Sequence, residues 1–192
     1  MTQIKQTSTN RSIDASNIEN ALFLVRHGQC LSNVTWPMEN YSDEIDVLTE
    51  LGQTQITKAS GYFNQFNCEY KIISSTLTRA KQSAELLHEG LNKSILLEPD
   101  ERIVEKSHEE TIESFVNRLD SFIKSRTNTQ GPFILATHGH VIECLLLTCL
   151  NAPYILNEKI DGHIGIKGIH GVANGSINAM IENNFVFFNF VP

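Results

Sequence analysis

Ala21-Leu22-Phe23-Leu24-Val25 runs without interruption into Arg26-His27-Gly28-Gln29. An apolar run with no polar alternation predicts a strand buried on both faces, as in the parallel sheet of an α/β protein. Its abrupt change to Arg26-His27-Gly28 predicts reactive side chains at the strand's carboxyl end, where open α/β sheets bind their ligands.

The same pattern returns downstream. Residues 133–136 form a second fully apolar run, which meets Thr137-His138-Gly139-His140. Shorter strands are expected over residues 71–74 and over residues 94–97, the latter ended by Pro99. Between them Ile56, Ala59, Phe63 and Phe66 recur at helical spacing, as do Ala80, Ala84, Leu87 and Leu91. A third helix uses Ile112, Phe115, Val116, Leu119 and Ile123, and residues 141–150, apolar nearly all round, predict a buried one. Residues 176–181 and 185–191, separated by Glu182-Asn183-Asn184, read as a closing hairpin. Together these elements predict an α/β fold: a three-layer α/β/α sandwich whose mainly parallel central sheet carries an antiparallel edge strand.

The 192 residues suit one well-buried domain, expected over residues 21–192, with polar, aperiodic residues 1–20 as a flexible tail. The formal net charge of -7 gives no general attraction to nucleic acid or an anionic membrane, so an anionic substrate must be held by local positive charge. No stretch approaches the roughly 20 apolar residues that span a bilayer. Cys30, Cys68, Cys144 and Cys149 lack the paired spacing of a zinc site and follow no secretory signal, which predicts reduced thiols and a cytoplasmic protein. The long connections over residues 34–48 and 151–175 are expected to be functional.

Phosphate-monoester hydrolysis needs fixed positive charge to offset the anionic phosphoryl group, a nucleophile, and an acid for the leaving oxygen. Arg26, His27, Gly28, Gln29 and the nearby Asn33 bring a guanidinium, an imidazole and an amide together. Arg79 follows the strand over residues 71–74, and His138 follows the later one. Arginine forks onto phosphate oxygens through paired donors that lysine lacks.

These segments resemble the histidine phosphatase superfamily, the phosphoglycerate-mutase-like family. Arg26, His27, Gly28, Gln29 and Asn33 match its first motif, Leu48-Thr49-Glu50-Leu51-Gly52-Gln53-Thr54-Gln55 its next helix start, Ser75, Leu77, Arg79, Ala80 and Gln82 its second motif, and His138-Gly139 its third. The resemblance implies that His27 is the nucleophile, forming a phosphohistidine, while Arg26, Asn33, Arg79, His138 and Gly139 bind the phosphate. It places the proton donor in the segment Ile103-Val104-Glu105, making Glu105 the acid, with Glu109 and Glu110 as rivals. Glu110-Thr111 reads as the start of the next helix.

The implied activity is metal-independent hydrolysis of a phosphorylated small molecule or a phosphoprotein, without cofactor, nucleic acid or membrane. A phosphoglycerate mutase-type phosphotransferase and a non-catalytic phosphate-binding module on the same fold are the alternatives. The short connection after Glu105, where mutases carry a longer insertion, favours a phosphatase with an open pocket. Cys30 stands where many relatives have Thr, and His140 where many have Gly.

Several residues invite other readings. His138, His140 and Glu143 could suggest a metal site, but no second ligand cluster accompanies them, so no metal is expected. Cys144 and Cys149 are expected to pack in the core. Asp43, Glu44 and Asp46 are expected on a solvated loop face, and Lys159, His163, Lys167 and His170 in a solvated late loop.

Overall fold

The computed structural model describes residues 13, 17–126, 131–149, 171–181 and 184–192. Six strands form one sheet: β1 Ala21–Arg26, β2 Tyr70–Ser74, β3 Ser94–Leu96, β4 Phe133–Thr137, β5 Ile177–Ile181 and β6 Asn184–Phe190. Their order is β3-β2-β4-β1-β5-β6. The first four run parallel, β5 lies antiparallel to β1, and β6 antiparallel to β5. The helices are α1 Leu31–Thr35, α2 Glu50–Phe63, α3 Thr78–Gly90, α4 Ile112–Arg126 and α5 Gly139–Cys149.

The alternation of side chains along β1 explains both the unbroken apolar run and the layering. Phe23 and Val25 enter one core with Ile56, Ala59 and Phe63 of α2 and Ala84 and Leu87 of α3. Leu24 enters a second core with Phe115, Leu119 and Phe122 of α4 and Val141, Ile142 and Leu145 of α5. Neither face of the strand can carry a polar residue, and the predicted three layers follow. Burial of each such side chain contributes about 1.5–3 kcal/mol before conformational entropy is set against it.

Some boundaries differ from those expected. Residues Ile18–Asn20, within the segment expected to be tail, form a 3-10 turn with Ile18 buried. Residues 1–12, 14–16 and 127–130 lie outside the described residues. Helix α5 begins at Gly139, ahead of the expected start at residue 141, which brings His140 into its first turn. Helix α1 and the 3-10 turns Asp43–Ile45 and Glu101–Ile103 are too short to show a period.

Two glycines let the loop after β1 rest on α2. A Cβ at Gly28 would stand 2.3 Å from the Gly52 carbonyl oxygen, and one at Gly52 would stand 2.0 Å from that of Gln29. Both positions therefore require glycine. Thr49 caps α2 by accepting the Gly52 N–H at 3.1 Å, its own N–H donates to the Gln29 carbonyl at 2.9 Å, and Gln55 accepts the Gln29 N–H at 2.8 Å.

Candidate active site

The strand order places three chain segments side by side. β1 and β4 pair in parallel with Arg26 opposite Thr137, so His27 and His138 emerge from adjacent strand ends with ring centroids 5.2 Å apart. The His27 N–H donates to the Thr137 carbonyl at 2.9 Å, and the Ser75 N–H beyond β2 donates to that of Ala136 at 2.9 Å. Arg79 rises from the first turn of α3 onto the same edge.

His27 is 3% exposed. Its Nδ1 lies 2.8 Å from the Gly28 carbonyl oxygen, which can only accept, so Nδ1 carries a proton. Arg79 Nε donates to His27 Nε2 at 3.3 Å, so Nε2 presents its lone pair. Burial lowers the imidazole well below its ordinary pKa, and the charges of Arg26 and Arg79 lower it further, against a smaller opposing effect from the Gly28 hydrogen bond.

His138 is fully buried, with Nε2 2.8 Å from Ser75 Oγ. Burial, then Arg79, His27 and Arg26, hold it well below its ordinary value too. Arg26 Nη1 donates to the Val172 carbonyl. Arg26 Nε and His138 Nδ1 are both buried without a hydrogen-bond partner among the described residues. Gly139 adjoins them, since a Cβ there would lie 3.9 Å from Arg26 Nε. Asn33 sits at the exposed rim, its Oδ1 accepting from the Cys30 N–H at 3.1 Å and from Asn174 Nδ2 at 3.0 Å.

Glu105 follows the 3-10 turn Glu101–Ile103, which Thr137 Oγ1 ties to β4 by donating to the Ile103 carbonyl at 2.8 Å. One carboxylate oxygen, Oε2, lies 3.8 Å from His138 Nδ1. The other, Oε1, pairs with His140 Nδ1 and accepts the His140 N–H at 3.3 Å. Burial pushes this carboxyl upward, but the hydrogen bond from His140 and the charges of His140, Arg26 and Arg79 outweigh it and hold the group below its ordinary value. Of the rivals, Glu109 is exposed and Glu110 pairs with Arg118 at 2.6 Å. Thr111 Oγ1 caps α4 by accepting the Ser114 N–H at 3.1 Å.

The acidic loop requires correction. Asp46, expected to be solvated, is 0% exposed and accepts from Arg79 Nη1 at 3.1 Å. It also accepts the Ser32 N–H and hydroxyl, each at 2.8 Å. Asp43 receives the Thr78 N–H and hydroxyl at 3.0 Å, fastening the start of α3, and only Glu44 of the three lies on the solvated face. Tyr41 accepts from Arg79 Nη1 at 3.3 Å. The 34–48 connection thus aims Arg79, a role with no local sequence signal because its partner is distant in the chain. Glu143, on α5, is buried and pushed up to about 7 by burial.

Residues 106–111 join Glu105 directly to α4. Lys159, His163, Lys167 and His170 lie outside the described residues, as does the side chain of Cys149. Cys30, Cys68 and Cys144 are free thiols, with Cys144 in the second core as expected. Among the described residues no helix is long and apolar enough to cross a membrane, and no three His, Cys, Asp or Glu side chains are grouped to hold a metal ion.

No curated protein matches the chain in sequence. Among solved structures, a protein called mycobacterial hydrolase 1 is similar to it at 20% identity with a TM-score of 0.69, covering 90% of this chain and 99% of that one. A mycobacterial glucosyl-3-phosphoglycerate phosphatase complexed with VO3 is similar at 19% identity and TM-score 0.66, covering 89% and 99%. YhfR of Bacillus stearothermophilus is similar at 20% identity and TM-score 0.66, covering 90% and 98%. Those likenesses establish the fold. Residues 22–109, from β1 through Arg79 and Glu105, match the model of the histidine phosphatase superfamily (branch 1).

Proposed function

We propose that the protein is a phosphatase, hydrolysing phosphomonoesters in two steps through a phosphohistidine on His27, with neither metal nor cofactor. The observation that carries this reading is the tautomer of His27: with Nδ1–H given to the Gly28 carbonyl, Nε2 is left as an unprotonated nucleophile between two arginines.

In the first step Nε2 attacks phosphorus and the bond to the leaving oxygen breaks. Arg26, Arg79 and His138 bind the phosphoryl oxygens, Gly139 borders them and Asn33 lies at the rim. The buried, unpartnered Arg26 Nε and His138 Nδ1 support this assignment, because an oxyanion would complete both groups. Glu105 protonates the leaving oxygen. In the second step it takes a proton from the water that attacks the phosphohistidine, restoring His27 and releasing phosphate.

The short 106–111 connection favours hydrolysis over mutase-type transfer, which must retain a product for rephosphorylation. A phosphatase among the fold neighbours supports a phosphorylated small molecule as substrate, and a phosphoprotein fits the same chemistry. No role at nucleic acid or membrane is proposed. The free thiols suit the cytoplasm.

The test is hydrolysis of p-nitrophenyl phosphate with a metal chelator present, comparing the unmodified protein with His27→Ala. Turnover that survives chelation and disappears in the variant is expected. Chelator-sensitive turnover retained by His27→Ala would overturn the assignment. Phosphoryl exchange with 3-phosphoglycerate and its bisphosphate, without net hydrolysis, would identify a mutase. Phosphate binding without turnover of either would identify a binding module.

A further inference from the structure

Glu105 stands between the phosphoryl site and a second imidazole. Its Oε2 lies towards His138, whereas its Oε1 is held by both Nδ1 and the backbone N–H of His140. His140 and Glu105 are each about a quarter exposed, so the pair also reaches solvent. The geometry points to His140 as the store of the proton that Glu105 delivers, so that the two side chains act as one acid and base. This inference rests on the phosphatase reading above.

A lone carboxyl beside two arginines holds its proton poorly near neutral pH, which is a weakness in a group required to protonate a leaving oxygen. The pair resolves this by sharing one proton across the contact between His140 Nδ1 and Glu105 Oε1. With the proton on His140 the pair is an imidazolium and a carboxylate. With the proton on Glu105 it is a neutral imidazole and a carboxylic acid.

As the phosphorus–oxygen bond breaks, the carboxylic acid form gives its proton to the leaving oxygen, whose electron pair takes it up, and both members of the pair are left deprotonated. When water attacks the phosphohistidine, the bond between phosphorus and His27 Nε2 breaks with its electron pair returning to the nitrogen, one proton of the water passes to Glu105 and the hydroxyl oxygen remains on phosphorus. The shared proton is thereby restored. His140 acts only through Glu105 and is a positioning residue.

Other charged groups bear on the pair. Arg26 and Arg79 act on Glu105 from β1 and α3, and His138 from the end of β4. Glu143, one turn along α5, couples electrostatically to both Glu105 and His140. Arg118 of α4 donates to the Glu105 backbone carbonyl at 3.5 Å and fixes where the side chain begins.

The test compares kcat/KM for p-nitrophenyl phosphate with that for phenyl phosphate, whose leaving oxygen is far more basic and depends more on an acid. The unmodified protein, His27→Ala, His140→Ala, Glu105→Gln and the double variant of His140 and Glu105 are measured, with and without imidazole in the buffer. His140→Ala is expected to lower phenyl phosphate turnover about tenfold more than p-nitrophenyl phosphate turnover. The double variant should be no more selective than Glu105→Gln alone. Imidazole should restore phenyl phosphate turnover to His140→Ala but not to Glu105→Gln.

Equal losses on the two substrates, multiplying effects in the double variant, or no response to imidazole would overturn the relay while leaving the phosphatase reading intact. Turnover of both substrates that is retained in His27→Ala would overturn the phosphatase reading and the relay with it.

Discussion

His27 owes its state to its neighbours. A carbonyl acceptor at Nδ1, an arginine donor at Nε2 and burial all favour the neutral ring. The acid limb of kcat/KM for p-nitrophenyl phosphate, corrected for substrate ionisation, should therefore lie below the ordinary imidazole value of about 6.5. A pH–rate profile with an enzyme pKa at the ordinary value would show instead that His27 is solvated. Asp46 has the largest effect expected outside the reacting groups. Asp46→Ala removes the buried partner of Arg79 and two bonds to Ser32, which should cost about 3 kcal/mol of stability in urea denaturation and lower kcat/KM at least tenfold. That Arg26, His27, Arg79, His138 and Glu105 come together was legible in the sequence because each sits in or beside a short local motif at a strand end or the turn after it. Asp46 was not, because Arg79 lies 33 residues away and only the fold reveals the pairing.

At the scale of elements, the site depends on how closely the loop after β1 lies on α2. Gly52→Ala would drive a methyl group into the Gln29 backbone and displace Gly28 and His27 with it. A loss of about 1–3 kcal/mol in thermal or urea denaturation is expected, together with a fall in kcat of at least tenfold. An unchanged melting curve and rate would show that the loop can move away without consequence. β1 and β4 were readable because burial on both faces leaves no room for polar residues. The short α1 has no period to read: its start is held by Cys30 and by Asn33, whose side chain accepts the Cys30 N–H. α5 starts ahead of residue 141 with Gly139 and His140, whose low helix propensity gives no helix signal, in a first turn adjoining Arg26 and Glu105.

Across the whole molecule, a net charge of -7 surrounds a site built on two arginines, so local geometry rather than overall charge would hold the proposed anionic substrate. The site's buried groups also make stability depend on pH in two opposing ways. His27 and His138 are depressed, so below about 6.5 the unfolded chain binds protons that the folded chain does not, and stability falls as pH falls through that window. Glu143 behaves oppositely. Raised from 4.5 to about 7, it keeps its proton when folded and loses it when unfolded, so stability falls as pH rises between those values. Glu143→Gln should therefore gain about 1–3 kcal/mol over the parent at about pH 8 compared with about pH 5, measured by urea denaturation. An equal difference at both pH values would show that Glu143 is not titrating abnormally. The layers and the parallel block were legible because hydrophobic period reports burial. The aiming of Arg79 and the pairing of Glu105 with His140 were not, because they depend on which strand ends become neighbours.

The central claim is a covalent bond between phosphorus and His27 Nε2. Mixing the protein with p-nitrophenyl phosphate, quenching in alkali within milliseconds and sequencing the peptides by mass spectrometry tests it directly. Phosphate on the His27 peptide, stable to alkali and lost in brief acid, is the result predicted. Nitrophenol release at the normal rate with no phosphate on His27, or with phosphate on another residue, would contradict it.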